Sequence, residues 1–390
     1  MAVFETIVVG LGAMGSATAY HLAKRGHRVL GLDRFSPPHA LGSSHGDTRI
    51  TRLAIGEGAH YTPLVMRSHE LWRELERETG KQLLTSSGGL VISSAAKTSV
   101  NHSERFFQNT VDAAIKYSIP HEILDAAEIR RRYPPFNVAT DEVGYFEPSA
   151  GYLRPEACVA SHLDMAEARG AEIHRNERVL AYEPSSTAVN VVTEHGSHAC
   201  SQLVITAGAW APTLFPPSAT QHLRIYRQTL LWFDVGDAAE SFAPQNFPIF
   251  IWELQRRKQG LYGFPAIDGA DGGVKVGTEQ YAQTTTADTV ERAVSEDEQL
   301  ATYDDYIAPC LPALKRKCVQ ATTCLYTVTP DFGFIIDHHP DDERVWLISP
   351  CSGHGFKHSP AIGEALADSI VDGATRFDLS AFRIDRFTTN

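Results

Sequence analysis

Three glycines near the start of the chain have a spacing that could do chemistry. Gly10, Gly12 and Gly15 form the pattern Gly-x-Gly-x-x-Gly. The first allows a tight turn, the second lets backbone approach a pyrophosphate, and the third lets helix and strand pack closely. A helix opening there turns its positive dipole end toward the phosphates. Asp33 follows Gly10 by 23 residues, where a carboxylate can accept hydrogen bonds from a ribose. This is a dinucleotide pattern, and it does not choose between FAD and NAD. Arg49 and Arg52 stand three apart, near His45. Alone, that cluster reads equally as a solvated basic turn. Taken singly, Tyr262, Lys275 and Cys324 read as a core aromatic, a strand-edge lysine and a small core residue.

These residues need elements to hold them. Residues 6–9 are a short β-branched strand, and a helix runs from the glycine turn through Ala17, Ala19 and Leu22 to about Gly26. Residues 27–32 then read as a second strand, closed by Asp33. A further helix is expected over 61–80, with Thr62 as its cap, Pro63 in its first turn and Gly80 past its end. Leu64, Met66, Leu71, Trp72 and Leu75 supply its apolar face. Strands are expected at 203–206 (followed by Gly208), 333–337 and 345–348. The last helix should run from Ser359-Pro360 to about Gly373, with Ile362, Leu366 and Ile370 inward. The middle of the chain carries strand-like runs at 229–234 and 247–253, and a helix is expected around 287–307.

The chain has 390 residues, enough for roughly two to three domains of ~150 residues each. A net charge of −12 argues against nucleic acid or an anionic membrane as the main partner. A local positive pocket for a small anion stays open. No run of about 18 apolar residues offers a membrane span. The start of the chain lacks signal-peptide features, and residues 386–390 match no sorting signal, so the expected location is the cytoplasm. Cys158, Cys200, Cys310, Cys318, Cys324 and Cys351 lie far apart, without Cys-x-x-Cys or a Cys/His zinc spacing. Free thiols and no metal are expected.

The run from Pro37-Pro38-His39 through Gly42-Ser43-Ser44-His45-Gly46-Asp47-Thr48-Arg49-Ile50-Thr51-Arg52 resembles the monomeric sarcosine oxidase and N-methyltryptophan oxidase family. So do Cys324-Leu325-Tyr326-Thr327, Phe334-Ile335-Ile336-Asp337 and Ser352-Gly353-His354-Gly355-Phe356-Lys357, in that order. The resemblance covers nearly the whole chain. It implies an α/β fold: a Rossmann-type FAD-binding domain assembled from separated segments, plus a second domain with a mixed β-sheet. The expected segments are 1–80, 150–218 and 320–390 for FAD, and 81–149 and 219–319 for substrate.

The resemblance also implies roles. FAD is the cofactor, linked covalently through Cys324. The expected catalytic residues are Lys275, Arg49, His45 and Tyr262: Arg49 sits against the flavin, and Tyr262 lines the substrate cavity. Lys275 helps oxygen accept electrons by stabilising developing negative charge. Arg52 and Lys357 bind a substrate carboxylate, for which a guanidinium fork and a lysine point charge are suited. Tyr326 and Glu279 complete the substrate side. Cofactor contacts are expected from Gly10, Gly12, Gly15, Asp33, Ser43, Thr48, Val179, Gly208, Cys324, Gly353, Gly355 and Phe356.

Two departures bear on the substrate. Glu279 stands where sarcosine-type members carry a histidine, and Ser44 stands where a second histidine often precedes His45. More distant fructosyl-amine oxidases resemble this chain in having a glutamate at the position of Glu279. The expected reaction is oxidation of a secondary α-amino acid to an imine with hydride passing to the flavin, followed by reduction of O2 to H2O2. The alternatives are a fructosyl-amino acid or cyclic imino acid oxidase, or a flavin dehydrogenase using an acceptor other than oxygen. The resemblance suggests a monomer whose partners are a small amino acid and O2.

Overall fold

The computed structural model describes residues 3–99 and 102–387. The closing residues of the tail, 388–390, lie outside the described residues. The glycine turn sits between the strand Val3–Val9 and the helix Ala13–Lys24. Val9 pairs in parallel with Leu32 on one side and Ile205 on the other. These strands head an eight-stranded sheet with the order Val179–Pro184, Val189–Thr193, Gly196–Ile205, Val3–Val9, Val29–Asp33, Glu172–Arg175. Asp342–Ser349 also pairs with Gly196–Ile205, and Ile335–His339 pairs with Asp342–Ser349. The strand Val29–Asp33 is buried at every position, as expected where helices cover a parallel sheet. The helix Ser359–Asp372 crosses Ala13–Lys24 closely, since a Cβ on Gly363 would stand 2.7 Å from the Ala17 carbonyl carbon.

A nine-stranded mixed sheet forms the other large layer. Its spine is the antiparallel pair Arg224–Phe233 and Cys318–Val328, which sets Cys324 opposite Gln228 and Tyr326 opposite Tyr226. Val274–Thr278 lies on the other side of Arg224–Phe233, with Lys275 opposite Trp232. Leu261–Gly263 follows, placing Tyr262 opposite Gly277. The strand Cys318–Val328, expected to open the third nucleotide-binding segment, therefore belongs to the mixed sheet. A three-stranded sheet fixes Arg49–Thr51 against Gly151–Leu153.

Several local expectations need correction. Thr62 is the first residue of the helix Thr62–Thr79, not its cap. The chain enters from the 3-10 turn Ala59–Tyr61 already in helical conformation, so no extended residue is available to cap. Gly80 does end this helix, at φ 70°. Met66 is 37% exposed and faces away from the core. The second strand begins at Val29, not at residue 27. The helix expected from 287 begins only at Glu296, behind a capping box made by Ser295 and Glu298. Residues 287–294 are held as a loop, because Arg227 donates to the carbonyls of Glu291 and Ala293.

Candidate active site

The dinucleotide turn is built as its spacing suggests. Gly10 takes φ +86°, and a Cβ on Gly15 would stand 1.9 Å from the Gly10 carbonyl oxygen. Gly12 is different: its Cβ would meet only the Ser44 hydroxyl, at 3.4 Å. Asp33 accepts from the backbone N–H of Leu11 and of Phe35, each at 2.7 Å. Burial pushes its carboxyl above the usual range. Each oxygen keeps a lone pair free for a further donor.

One continuous cavity joins this turn to a chamber at the face of the mixed sheet. Every residue nominated from the sequence lines it except Gly15 and His45. Gly15 serves packing alone. His45 is 3% exposed, and its Nε2 has no hydrogen-bond partner. Burial, with Arg49 and Lys275 nearby, drives its imidazole down to about 3, so the ring is neutral.

The chamber is rich in buried cations. Arg49 donates to the carbonyls of Thr48 and Ser43, both at 2.7 Å, and lies 3.5 Å from the Cys324 sulfur. Ser43 Oγ donates to the Leu325 carbonyl, tying the loop to the strand that carries Cys324. Lys275 donates to Gly46 O at 2.6 Å, Thr48 O at 2.9 Å and Thr48 Oγ1 at 3.1 Å. Its Nζ lies 4.7 Å from the centre of the Phe264 ring. Burial, then Arg49, pushes Lys275 well below the usual lysine range. Three acceptors match the three protons of an ammonium group, which favours the charged form against that burial.

Arg52 and Lys357 are 2% and 4% exposed. Arg52 donates to Glu57 at 2.8 Å and to the Ala54 carbonyl, while its Nε is buried without a partner. The segment after it is anchored by Glu147, which accepts from Leu53 N at 2.7 Å and Ala54 N at 3.1 Å. Lys357 donates to the His354 carbonyl at 2.6 Å. Burial pulls Lys357 down to about 8, against the opposing field of Glu57.

Glu279 carries a partner that the sequence reading did not single out. His102 Nε2 lies 3.0 Å from its Oε2, and Tyr281 donates to the same oxygen at 3.0 Å. His102 Nδ1 lies 3.5 Å from Glu57. Burial works against a charge on His102, but Glu279 and Glu57 outweigh it and hold the ring up at about 9. A chain of charges therefore runs Arg52–Glu57–His102–Glu279 along the cavity. His102 and Glu57 lie in segments without a motif, so only the folded chain brings them together. Glu57, His102 and His354 have metal-ligand spacing. With Arg52 already on Glu57 and Lys357 beside it, we read them as a charge network.

The donor set fits an extended dinucleotide ending in a redox ring: a glycine cradle, an acidic ribose acceptor and a cationic chamber lie in one cavity. Comparisons agree with that fit. A family model described as FAD dependent oxidoreductase (DAO) matches residues 5–369. The chain is 42% identical over 380 residues to a monomeric sarcosine oxidase of Streptomyces avermitilis, covering 97% of this chain and 96% of that protein. It is 35% identical over 385 residues to an N-methyl-L-tryptophan oxidase of Yersinia pestis, covering 98% and 99%. Among solved structures, NikD, an unusual amino acid oxidase essential for nikkomycin biosynthesis, superposes with a TM-score of 0.84 at 23% identity over 98% of both chains.

Proposed function

Because the chain belongs to the DAO family of FAD-dependent oxidoreductases, we propose that it oxidises the carbon–nitrogen bond of a secondary α-amino acid and passes the electrons to O2. The observation that carries the substrate class is the buried pair Arg52 and Lys357 on the wall of the cavity. Two cations in a dry site are costly without an anion. Glu57 offsets part of that cost, and the unpartnered Arg52 Nε leaves a donor for a carboxylate.

Bound FAD supplies the hydride acceptor. The protein's own residues orient the substrate and tune its charge. Arg52 and Lys357 fix the carboxylate end. The surrounding cations disfavour a second positive charge, so the amine binds neutral and no side-chain base is required. Tyr262 and Tyr326 close the chamber, both buried enough to stay protonated phenols. Lys275 stabilises the negative charge that develops when oxygen is reduced. Cys324 tethers the cofactor, with the Arg49 guanidinium beside its sulfur. Apart from Gly15, the expected cofactor contacts, from Gly10 to Phe356, line the cavity and would hold FAD there, Val179 and Gly208 among them.

A second reading concerns the side chain. Glu279 introduces a carboxylate on the substrate side, with one oxygen taken by His102 and Tyr281. Its other oxygen favours a substrate larger than sarcosine with a hydrogen-bond donor, such as a fructosyl or cyclic amino acid. We further propose the division into an FAD-binding part (1–80, 150–218, 320–390) and a substrate part (81–149, 219–319), with the strand Cys318–Val328 pairing into the mixed sheet and presenting Cys324 from it. On this reading the enzyme is a cytoplasmic monomer. The functional test is oxygen uptake with peroxide detection on N-methyl amino acids. Arg52→Ala should raise KM about a hundredfold, or ~2.7 kcal/mol, by removing charged hydrogen bonds. Equal rates for the amino acid and its decarboxylated amine would defeat the assignment.

A further inference from the structure

A second cluster lies on the nucleotide-binding sheet, away from the chemistry described above. It gathers His174 from the edge strand Glu172–Arg175, Glu177 from the turn after it, and His198 from Gly196–Ile205. Glu177 stands at its centre. Its Oε2 lies 2.8 Å from His174 Nδ1, and its Oε1 lies 2.9 Å from His198 Nε2. One ligand atom from each residue falls within 4.8 Å of the other two. Linear spacing hides this set, because the two histidines stand on different strands.

We propose that His174, Glu177 and His198 form a binding site for a divalent transition metal, with zinc as the best-matched ion. Two imidazole nitrogens and one carboxylate oxygen, with a position left for water, are ligands that suit zinc and not magnesium or calcium. The outer partners of such a site are already in place. Glu172 Oε1 lies 2.6 Å from His174 Nε2, so this carboxylate would orient the ring while Nδ1 faces the metal. Thr193 donates to Glu177 Oε1 at 2.7 Å and fixes that carboxylate. Glu177 has an 8% exposed side chain, whereas His174 and His198 keep 30% and 23%, which leaves a path for the ion. Binding would replace the protons now shared between the rings and Glu177, and would release them to solvent.

The site would also brace the cofactor cleft. The Glu177 N–H donates to the Asp33 carbonyl at 2.8 Å, and Glu177, Arg178 and Val179 border the cavity near Asp33. A metal there would join the edge strand, the cleft wall and the long strand Gly196–Ile205.

The test uses tag-free holoenzyme stripped with a chelator, then titrated with ZnCl2 by calorimetry and with CoCl2 by visible absorbance. The expected result is one saturable site per chain, weakened at least ~tenfold by His198→Ala and by His174→Gln. The flavin-to-protein absorbance ratio checks that each variant is folded. Zinc should raise the melting midpoint of the wild type and not of these variants. His102→Ala, which alters the other cluster, should keep the site. Absence of saturable binding up to millimolar metal would overturn the proposal. So would binding that survives both substitutions, or binding lost in His102→Ala alone.

Discussion

Cys324 is nearly fully buried, and its sulfur faces Arg49 at 3.5 Å on the wall of the cofactor cavity. If it carries the flavin, acid precipitation leaves a yellow pellet for the wild type and a colourless one for Cys324→Ala; colourless pellets from both would remove the tether. Glu279 sets a second expectation. Glu279→His should shift preference toward sarcosine by tenfold or more, since a hydrogen bond to a charged acceptor is worth ~1.5–3 kcal/mol. An unchanged ratio of sarcosine to a larger N-substituted amino acid would mean that Glu279 serves only its ion pair with His102. Lys357 gives a pH dependence. Its free-enzyme value near 8 means it is cationic below that pH and neutral above it. A bound carboxylate favours the cation, so binding takes up a proton above pH 8. The affinity of a non-oxidisable carboxylate such as isobutyrate should be flat below about pH 8 and fall by up to about tenfold per unit above it. Lys357→Met should bind weakly without that slope. A slope that survives in Lys357→Met would assign the titration elsewhere.

Among the elements, the glycine turn makes the sharpest contrast. Gly15→Ala would drive a Cβ to 1.9 Å from the Gly10 carbonyl, so the strand and helix must separate. That variant should lose soluble, folded protein. Gly12→Ala meets nothing closer than the Ser44 hydroxyl at 3.4 Å, so it should fold, by circular dichroism, while retaining less flavin. Equal folding and equal flavin content in both variants would contradict the division of labour between them. The turn was legible in the sequence because its chemistry is local: strand, glycines, helix and acid lie within one unit. The helix expected over 287–307 failed for the opposite reason. Its first half is held open by Arg227, 64 and 66 residues away from the carbonyls it binds. The capping pair Ser295 and Glu298 marks the true start and was present in the sequence.

Across the whole molecule, the cationic chamber is assembled from segments that only the fold brings together. Arg49 opens the short strand Arg49–Thr51 and Arg52 follows it, Lys275 and Glu279 come from the mixed sheet and its end, and Lys357 comes from the turn before the last helix. Sequence motifs pointed to these residues through a family resemblance; no periodicity singles them out. The links between them, Glu57 and His102, carried no local signal, because their roles depend on Arg52 and Glu279 arriving beside them. On the proposed reading, Arg52 and Lys357 bind the substrate carboxylate and Lys275 serves oxygen. The most direct test is anaerobic rapid mixing of the enzyme with N-methyl amino acids, followed by a second mix with O2. Fast bleaching of the flavin is expected with at least one such amino acid, little with its decarboxylated amine, and stoichiometric peroxide on reoxidation. Reoxidation should slow about a hundredfold in Lys275→Met, with bleaching nearly unchanged. Bleaching that ignores the carboxylate, or reoxidation that ignores Lys275, would contradict the proposed roles of Arg52, Lys357 and Lys275.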